Sequence, residues 1–390
     1  MITRDECEAL DASDPLSPLR HHFELPPDVI YLDGNSLGPP PRVVRHRVRE
    51  VLDGWASDLI SGWWKHDWIG LPARVGHRLE PLLGAEPGSV ICCDSTSVNL
   101  FKVVDAACRL VEGDVLTDSG NFPTDLYVLG TVAERHQRRL LAVDPVDLPD
   151  AITDSIGVVA ATHVDFRTGR RHDLPLLTRL AHQTGSLVIW DLSHSAGAMQ
   201  VGLAKNQVDL AVGCGYKYLN GGPGAPAFVY VSPRWQATLA NPITGWFGHA
   251  DPFEFSGEFV PAEGVERMKV GSPDVISMVA LDAALSIWEG VDLGLVREKS
   301  VALTSLFIEL IDQELGGQLE ILTPRSPEVR GSQVSVRQAE AKTLTEELLR
   351  RGVICDFRPP DIARFGFSPL FTRYFDVWEA VDRVRSVLAV

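Results

Sequence analysis

Between residues 89 and 231, short apolar runs alternate with helix-patterned stretches, and this alternation constrains the chain more than any other feature. Ser89–Cys93, Val115–Thr117, Gly157–His163, Leu187–Trp190, Leu210–Gly213 and Ala227–Val231 have the length and β-branched content of buried strands. Stretches between several of them, such as Leu174 to Gln183, place apolar residues at helical spacing. The pattern predicts an α/β fold built on a mostly parallel sheet covered by helices. Few residues separate the last run from the one before it, so a short antiparallel strand is expected at 227–231.

The chain has 390 residues, a length that suits one large α/β domain and a smaller one. The expected division is an N-terminal arm with a small-domain segment over 1–50, a large domain over 51–285 and a small C-terminal domain over 286–390. The first 30 residues are expected to pack on the C-terminal tail or on a partner subunit. Residues 240–275 are rich in Gly, Pro and aromatics and read as a long ordered loop, of a length that is usually functional. A long amphipathic helix is expected from about Val275 past Leu295.

Composition narrows the function. The net charge of −16 disfavours nucleic acid and anionic membranes as partners. No apolar stretch approaches the ~20 residues of a membrane span. The N-terminal MITRDECEALDASD lacks the apolar core of a signal peptide. The six cysteines show no CxxC pair, so no metal site is expected and a reduced, cytoplasmic setting is.

Several segments carry chemistry. Lys217 lies in Gly213-Cys-Gly-Tyr-Lys-Tyr-Leu-Asn-Gly-Gly-Pro-Gly224, flanked by Val212, Tyr216, Tyr218 and Leu219, so its stem is expected to be buried. Burial favours a neutral, nucleophilic amine. Asp191 ends the apolar run Val188-Ile-Trp190, at the strand end where open α/β sheets bind ligands. It reads equally as a helix N-cap before Leu192-Ser-His194. A lysine that forms an imine and an acid that keeps a ring nitrogen protonated are two needs of pyridoxal phosphate (PLP) chemistry. His194, three residues beyond Asp191, is placed to stack on or orient a ring. Thr96 and Ser97, where a strand feeds a helical pattern, are the best candidates for backbone donors to a phosphate, with an unliganded cap as the plain alternative. In Asn121-Phe-Pro-Thr-Asp125, Phe122 can lie on a flat ring and Asp125 can add a second carboxylate. Arg364, among apolar residues, needs an anionic partner: a substrate carboxylate, or an internal bridge to Asp356 or Asp361.

Taken together the segments resemble kynureninase, a fold-type I PLP enzyme, along almost the whole chain. The resemblance runs through Tyr31-Leu-Asp-Gly-Asn-Ser-Leu-Gly-Pro39, Asp94-Ser-Thr-Ser-Val-Asn99, Phe122-Pro-Thr-Asp125, Trp190-Asp-Leu-Ser-His-Ser-Ala-Gly197, Tyr216-Lys-Tyr-Leu-Asn-Gly-Gly-Pro-Gly224, Gly245-Trp-Phe-Gly-His249 and Arg364-Phe-Gly-Phe-Ser-Pro-Leu370. It implies a large domain with a mostly parallel seven-stranded sheet, a smaller α/β domain, and a homodimer with a shared active site. The implied reaction is hydrolysis of the Cβ–Cγ bond of L-kynurenine or 3-hydroxykynurenine to the corresponding anthranilate and L-alanine. An enzyme specialised for ring-substituted kynurenines, or a desulfurase or β-lyase on the same fold, is the alternative.

The resemblance also implies roles. Lys217 would carry PLP, Asp191 would pair with its ring nitrogen, and Thr96 and Ser97 would bind its phosphate with help from Tyr216. Phe122, Pro123, Thr124 and Asp125 would line the ring. Thr162, His194, Trp246 and Ser272 would make further cofactor contacts, Trp246 from the other subunit. Arg364 would hold the substrate α-carboxylate, and Asn35, Ser36 and Trp63 would build the aryl pocket. Tyr216 is the candidate acid or base at the γ-carbonyl. Phe259 lacks a hydroxyl that bacterial relatives often carry at this place, and Ser272 stands where relatives tend to have threonine or asparagine.

Overall fold

Strand residues that alternate between two apolar faces need cover on both sides, and the central segments meet this need. In a computed structural model, which describes residues 2–389, they form one seven-stranded sheet. Across the sheet the order is Leu140–Val143, Asp114–Asp118, Ile156–Thr162, Leu187–Asp191, Leu210–Cys214, Ala227–Val231 and Val90–Cys92. Ala227–Val231 runs antiparallel to both of its neighbours, and the other pairings are parallel. Both the mostly parallel sheet and the antiparallel strand at 227–231 match the sequence expectation.

The strands from Ile156 to Val231 are buried along their whole length. Val158, Ile189, Val212 and Val229 face the core under Thr96–Leu110 and Pro123–Arg135. Val159, Val188, Trp190 and Tyr230 face the other core, under Leu71–Leu83, Leu174–Gln183 and Val275–Leu285. The edge strand Leu140–Val143 has no counterpart in the sequence reading. It is only half-buried, so its pattern is weak.

The expected long helix from Val275 past Leu295 is two helices. Val275–Leu285 ends in a 3-10 turn at Ser286–Trp288, and Leu293–Leu315 starts afresh. Gly290 sits between them at φ +78°, and Asp292 caps the second helix by accepting the Gly294 N–H at 2.7 Å. The apolar spacing carries across this break, which is why it reads as one helix.

The C-terminal part packs Leu293–Leu315, Ala341–Arg350 and Tyr374–Leu388 on a four-stranded antiparallel sheet. Its order is Asp356–Arg358, Ile362–Gly366, Gln333–Arg337, Glu320–Ile321. The N-terminal segment packs on this tail. Asp11 of the helix Arg4–Ser13 accepts the N–H groups of Tyr374 at 2.7 Å and Phe375 at 3.0 Å. Ile30–Tyr31 pairs in parallel with Val353–Ile354. Residues 240–274 carry only 3-10 turns, at Trp246–Gly248 and Gly264–Met268, before the helix that starts at Val275. Among the described residues no helix is long and apolar enough to cross a membrane.

Candidate active site

Parallel strands end on the same side of a sheet, so a residue that closes each strand falls beside its neighbours. Thr162 and Asp191 are direct register partners, and Asp191 in turn faces Val212, the start of the segment leading to Lys217. A narrow cavity opens there. It is lined by Thr96, Ser97, Phe122, Thr124, Asp125, Thr162, Asp191, His194, Tyr216 and Lys217, all named from sequence, together with Phe166 and Ser193, which were not.

Asp125 and Asp191 are both buried. Burial, then the like charge of Asp191, holds the Asp125 carboxyl well above the usual range, with Lys217 acting against them. Thr162 Oγ1 donates to Asn121 Oδ1 and lies 3.4 Å from Asp125 Oδ2. Asn121 also receives the Phe122 N–H at 2.7 Å, which sets the turn that presents Phe122. Asp191 Oδ1 accepts the Ser193 N–H at 2.7 Å. This is the local capping role left open by the sequence, but it closes a turn and not a helix.

At the other end of the cavity, Ser95 caps the helix Thr96–Leu110. Among the described residues no acceptor is bonded to the N–H groups of Thr96 and Ser97, so both are free for an anion. The turn before them is tied down by Lys102, a fully buried lysine 2.7 Å from Asp94 Oδ2 and 2.6 Å from Met268 O.

Lys217 sits 5.8 Å from the centre of the Tyr216 ring. Burial, then the Cys214 thiol, pushes the Tyr216 hydroxyl pKa upward. The loop at 33–40 closes over this pair because position 38 is glycine. Gly38 donates its N–H to Tyr216 O at 2.8 Å, and a Cβ there would fall 2.3 Å from Lys217 O.

Arg364 forms the internal bridge, and with Asp356; Asp361 pairs with Arg337 instead. Its Nε lies 2.9 Å from Asp356 Oδ1, Nη1 donates to Phe166 O at 2.6 Å and Nη2 to Ser36 Oγ at 2.7 Å. Burial alone would raise Asp356, but Arg364 and Arg358 hold it below the usual carboxylate range. Burial and Asp356 push the adjacent Asp33 up to about 7.

Other expected site residues stand apart from the cavity. Ser36, expected beside an aryl ring, is hydrogen-bonded to Asp356 and Arg364. Asn35, expected with it, is buried against Gln333, 3.4 Å from its Oε1, and against Gly366. Trp63 and Ser272 line a separate, wider apolar groove with Trp55, Leu59, Ile60 and Ile276. One chain therefore does not bring Asn35, Ser36 and Trp63 into a common pocket. Trp246 is 41% exposed and packs on Phe247, Phe253 and Phe255, outside the cavity. Pro123 starts the helix Pro123–Arg135 without lining the cavity. Phe259 is exposed, beside His249.

The residues present fit PLP. Among the described residues neither Asp125 nor Asp191 is salt-bridged to a cation, and a protonated ring nitrogen would supply one beside Lys217, while a helix N-terminus with free N–H groups faces the same space.

Comparison with known proteins agrees with this geometry. Residues 296–384 match the family model described as the kynureninase C-terminal domain. A kynureninase of Burkholderia pseudomallei is 45% identical over 100% of this chain and 96% of the relative. One from Pseudomonas fluorescens is 44% identical over the same shares. Among solved structures, the cysteine desulfurase CsdA of Escherichia coli superposes with a TM-score of 0.82 at 18% identity, covering 96% of this chain and 98% of that one. A C-DES structure with glycine covalently linked to PLP superposes at 0.80 and 16% identity, over 94% and 98%. The desulfurase likeness is one of fold; the identity along the full length is with kynureninases, and the chain belongs to the kynureninase family.

Proposed function

We propose that this chain is a PLP-dependent hydrolase that cleaves the Cβ–Cγ bond of L-kynurenine, 3-hydroxykynurenine or a ring-substituted analogue, with water, to an anthranilate and L-alanine. The observation that carries the reading is the convergence of Lys217, Asp191 and the free N–H groups of Thr96 and Ser97 on one cavity, in a chain of this family.

Bound PLP supplies the electron sink for proton loss at Cα and for the later bond cleavage. Asp191 would accept the ring N–H, with Asp125 beside it. Thr96 and Ser97 would hold the phosphate, and Phe122 and His194 would contact the ring. Lys217 Nζ would take the Cα proton. Arg364 binds the α-carboxylate beside Asp356. Tyr216, whose raised pKa keeps the hydroxyl protonated at neutral pH, donates to the γ-carbonyl oxygen as water adds.

The aryl pocket is completed by a second copy of the chain, which brings Trp246 and Ser272 to this cavity. Trp55, Leu59 and Ile60, at 57–72% exposure along the groove that holds Trp63, support that arrangement. A desulfurase would need a mobile nucleophilic cysteine. Cys355 sits between two strands instead, with its thiol pKa held well up by burial.

Lys217→Ala tests the reading. The variant is expected to lose the visible absorption of covalently bound PLP and all release of fluorescent anthranilate; retained turnover would overturn it. The wild-type enzyme assayed on kynurenine, 3-hydroxykynurenine and ring-methylated kynurenines ranks the substrates.

A further inference from the structure

Gln333 begins the strand Gln333–Arg337 of the C-terminal domain, yet its fully buried side chain reaches into the large domain. Its Nε2 lies 3.0 Å from Phe166 O and 3.3 Å from Asp165 O. Backbone carbonyls only accept, so they fix the orientation of the amide, with the nitrogen toward residues 165–166 and Oε1 the other way. Oε1 lies 2.9 Å from His194 Nδ1, and the Asn35 amide nitrogen approaches it at 3.4 Å. An amide oxygen also only accepts, so the hydrogen of this bond belongs to Nδ1.

We propose that Gln333 is a positioning residue that locks His194 as the Nδ1–H tautomer and leaves Nε2 as a hydrogen-bond acceptor toward the Lys217 cavity. Burial, reinforced by the positive charges of Lys217 and Arg364 and more weakly by Arg358, disfavours the charged ring. A neutral imidazole with a hydrogen on Nδ1 has a lone pair on Nε2. That nitrogen takes an N–H or O–H donor from substrate or cofactor and cannot donate to an anion. The same anchor serves the carboxylate clamp, because Phe166 O also receives Arg364 Nη1 at 2.6 Å. His194 and Arg364 are thus set by one amide–carbonyl junction between the two domains. The inference rests on the PLP reading only in taking the Lys217 cavity as the cofactor site.

The test is the protonation pattern of the His194 ring in the full-length, PLP-loaded enzyme with ring-15N-labelled histidine. Two-bond 1H–15N correlations assign the tautomer, and a His194→Asn spectrum identifies the signals. Wild type is expected to show a neutral ring protonated on Nδ1 from pH 8 to pH 6. A ring protonated on Nε2, or a charged ring at pH 7, would overturn the proposal. Gln333→Glu puts a carboxylate against Nδ1, and the ring is then expected to be charged at pH 7; an unchanged neutral ring overturns it. If that variant does not fold, Gln333→Leu removes the acceptor, and the ring is expected to shift to the Nε2–H form. Persistence of Nδ1–H would contradict the assignment. The tautomer is read whether or not kynurenine is turned over, so failure of the activity reading is distinguishable from failure here.

Discussion

Asp356 and Arg364 face each other across adjacent antiparallel strands, with Asp356 Oδ1 2.9 Å from Arg364 Nε. Ser36 and Arg358 complete the group around the same carboxylate, at 2.7 and 2.6 Å from its Oδ2. On the proposed reading a substrate α-carboxylate would meet a guanidinium already aligned by an internal anion, and Arg358 would balance that anion when Arg364 is shared. Truncating one member of a buried charge pair costs about 2–5 kcal/mol. Arg364→Ala is accordingly expected to lower kcat/KM for kynurenine at least ~30-fold, and by similar factors for every ring-substituted analogue, because the α-carboxylate is common to all. Steady-state kinetics by anthranilate fluorescence measure this. An unchanged kcat/KM would remove Arg364 from the substrate.

Lys102 is the counterpart of this pair at the proposed phosphate end. From the second turn of the helix Thr96–Leu110 its ammonium reaches back to Asp94 and across to Met268 O, fixing the turn that aims the free N–H groups of Thr96 and Ser97. Lys102→Met leaves Asp94 and a buried carbonyl without that partner, at a cost of about 3 kcal/mol. The expected result is a lower unfolding temperature and a PLP dissociation constant raised ~10-fold. Thermal scans across a PLP titration test it, since a weaker site gains less stability at each PLP concentration. Equal gains in both proteins would assign Lys102 to folding alone.

The contrast between these residues explains what the sequence could reveal. Asp191 and Lys217 are readable because each ends or follows an apolar strand, a position that local pattern exposes, whereas Thr162 enters only through the family resemblance. Leu140–Val143 escaped because an edge strand is half wet, and the break at Gly290 because the apolar spacing continues through it. Gln333 and Phe166 carried no local signal. Their contacts join segments 139 and 167 residues apart, where only the folded chain makes them neighbours.

Ile60 is 72% exposed on an apolar groove shared with Trp55 and Leu59. If a second copy covers this face and supplies Trp246 and Ser272, a charge in its middle must be desolvated on association. Ile60→Glu is expected to convert a dimer into monomers in analytical ultracentrifugation and to lower turnover at least ~10-fold. Far-UV circular dichroism is expected to stay unchanged, since the side chain is exposed within the chain itself. A variant that sediments as wild type would place the interface elsewhere.

His163 follows the cavity residue Thr162 and is buried, with its Nδ1 unbonded among the described residues. Burial, then the charges of Arg171, His172 and Arg297, lower its pKa to about 3. In the unfolded chain the ring has an ordinary pKa of about 6.5. Between these values the unfolded state binds a proton that the folded state refuses, so stability falls as pH drops below about 6.5, by about 1.4 kcal/mol per pH unit. Asp33 and Asp125 have raised pKa values and act in the opposite direction, stabilising the folded state on acidification, so the wild-type curve sums opposing contributions. The difference between wild type and His163→Asn isolates the histidine, because both carboxyls are present in each protein. The stability of wild type relative to the variant is expected to fall by about 2 kcal/mol between pH 6.5 and pH 5 in urea unfolding. Parallel stability curves over that interval would mean that His163 already carries its proton, or an equivalent hydrogen bond, in the folded state.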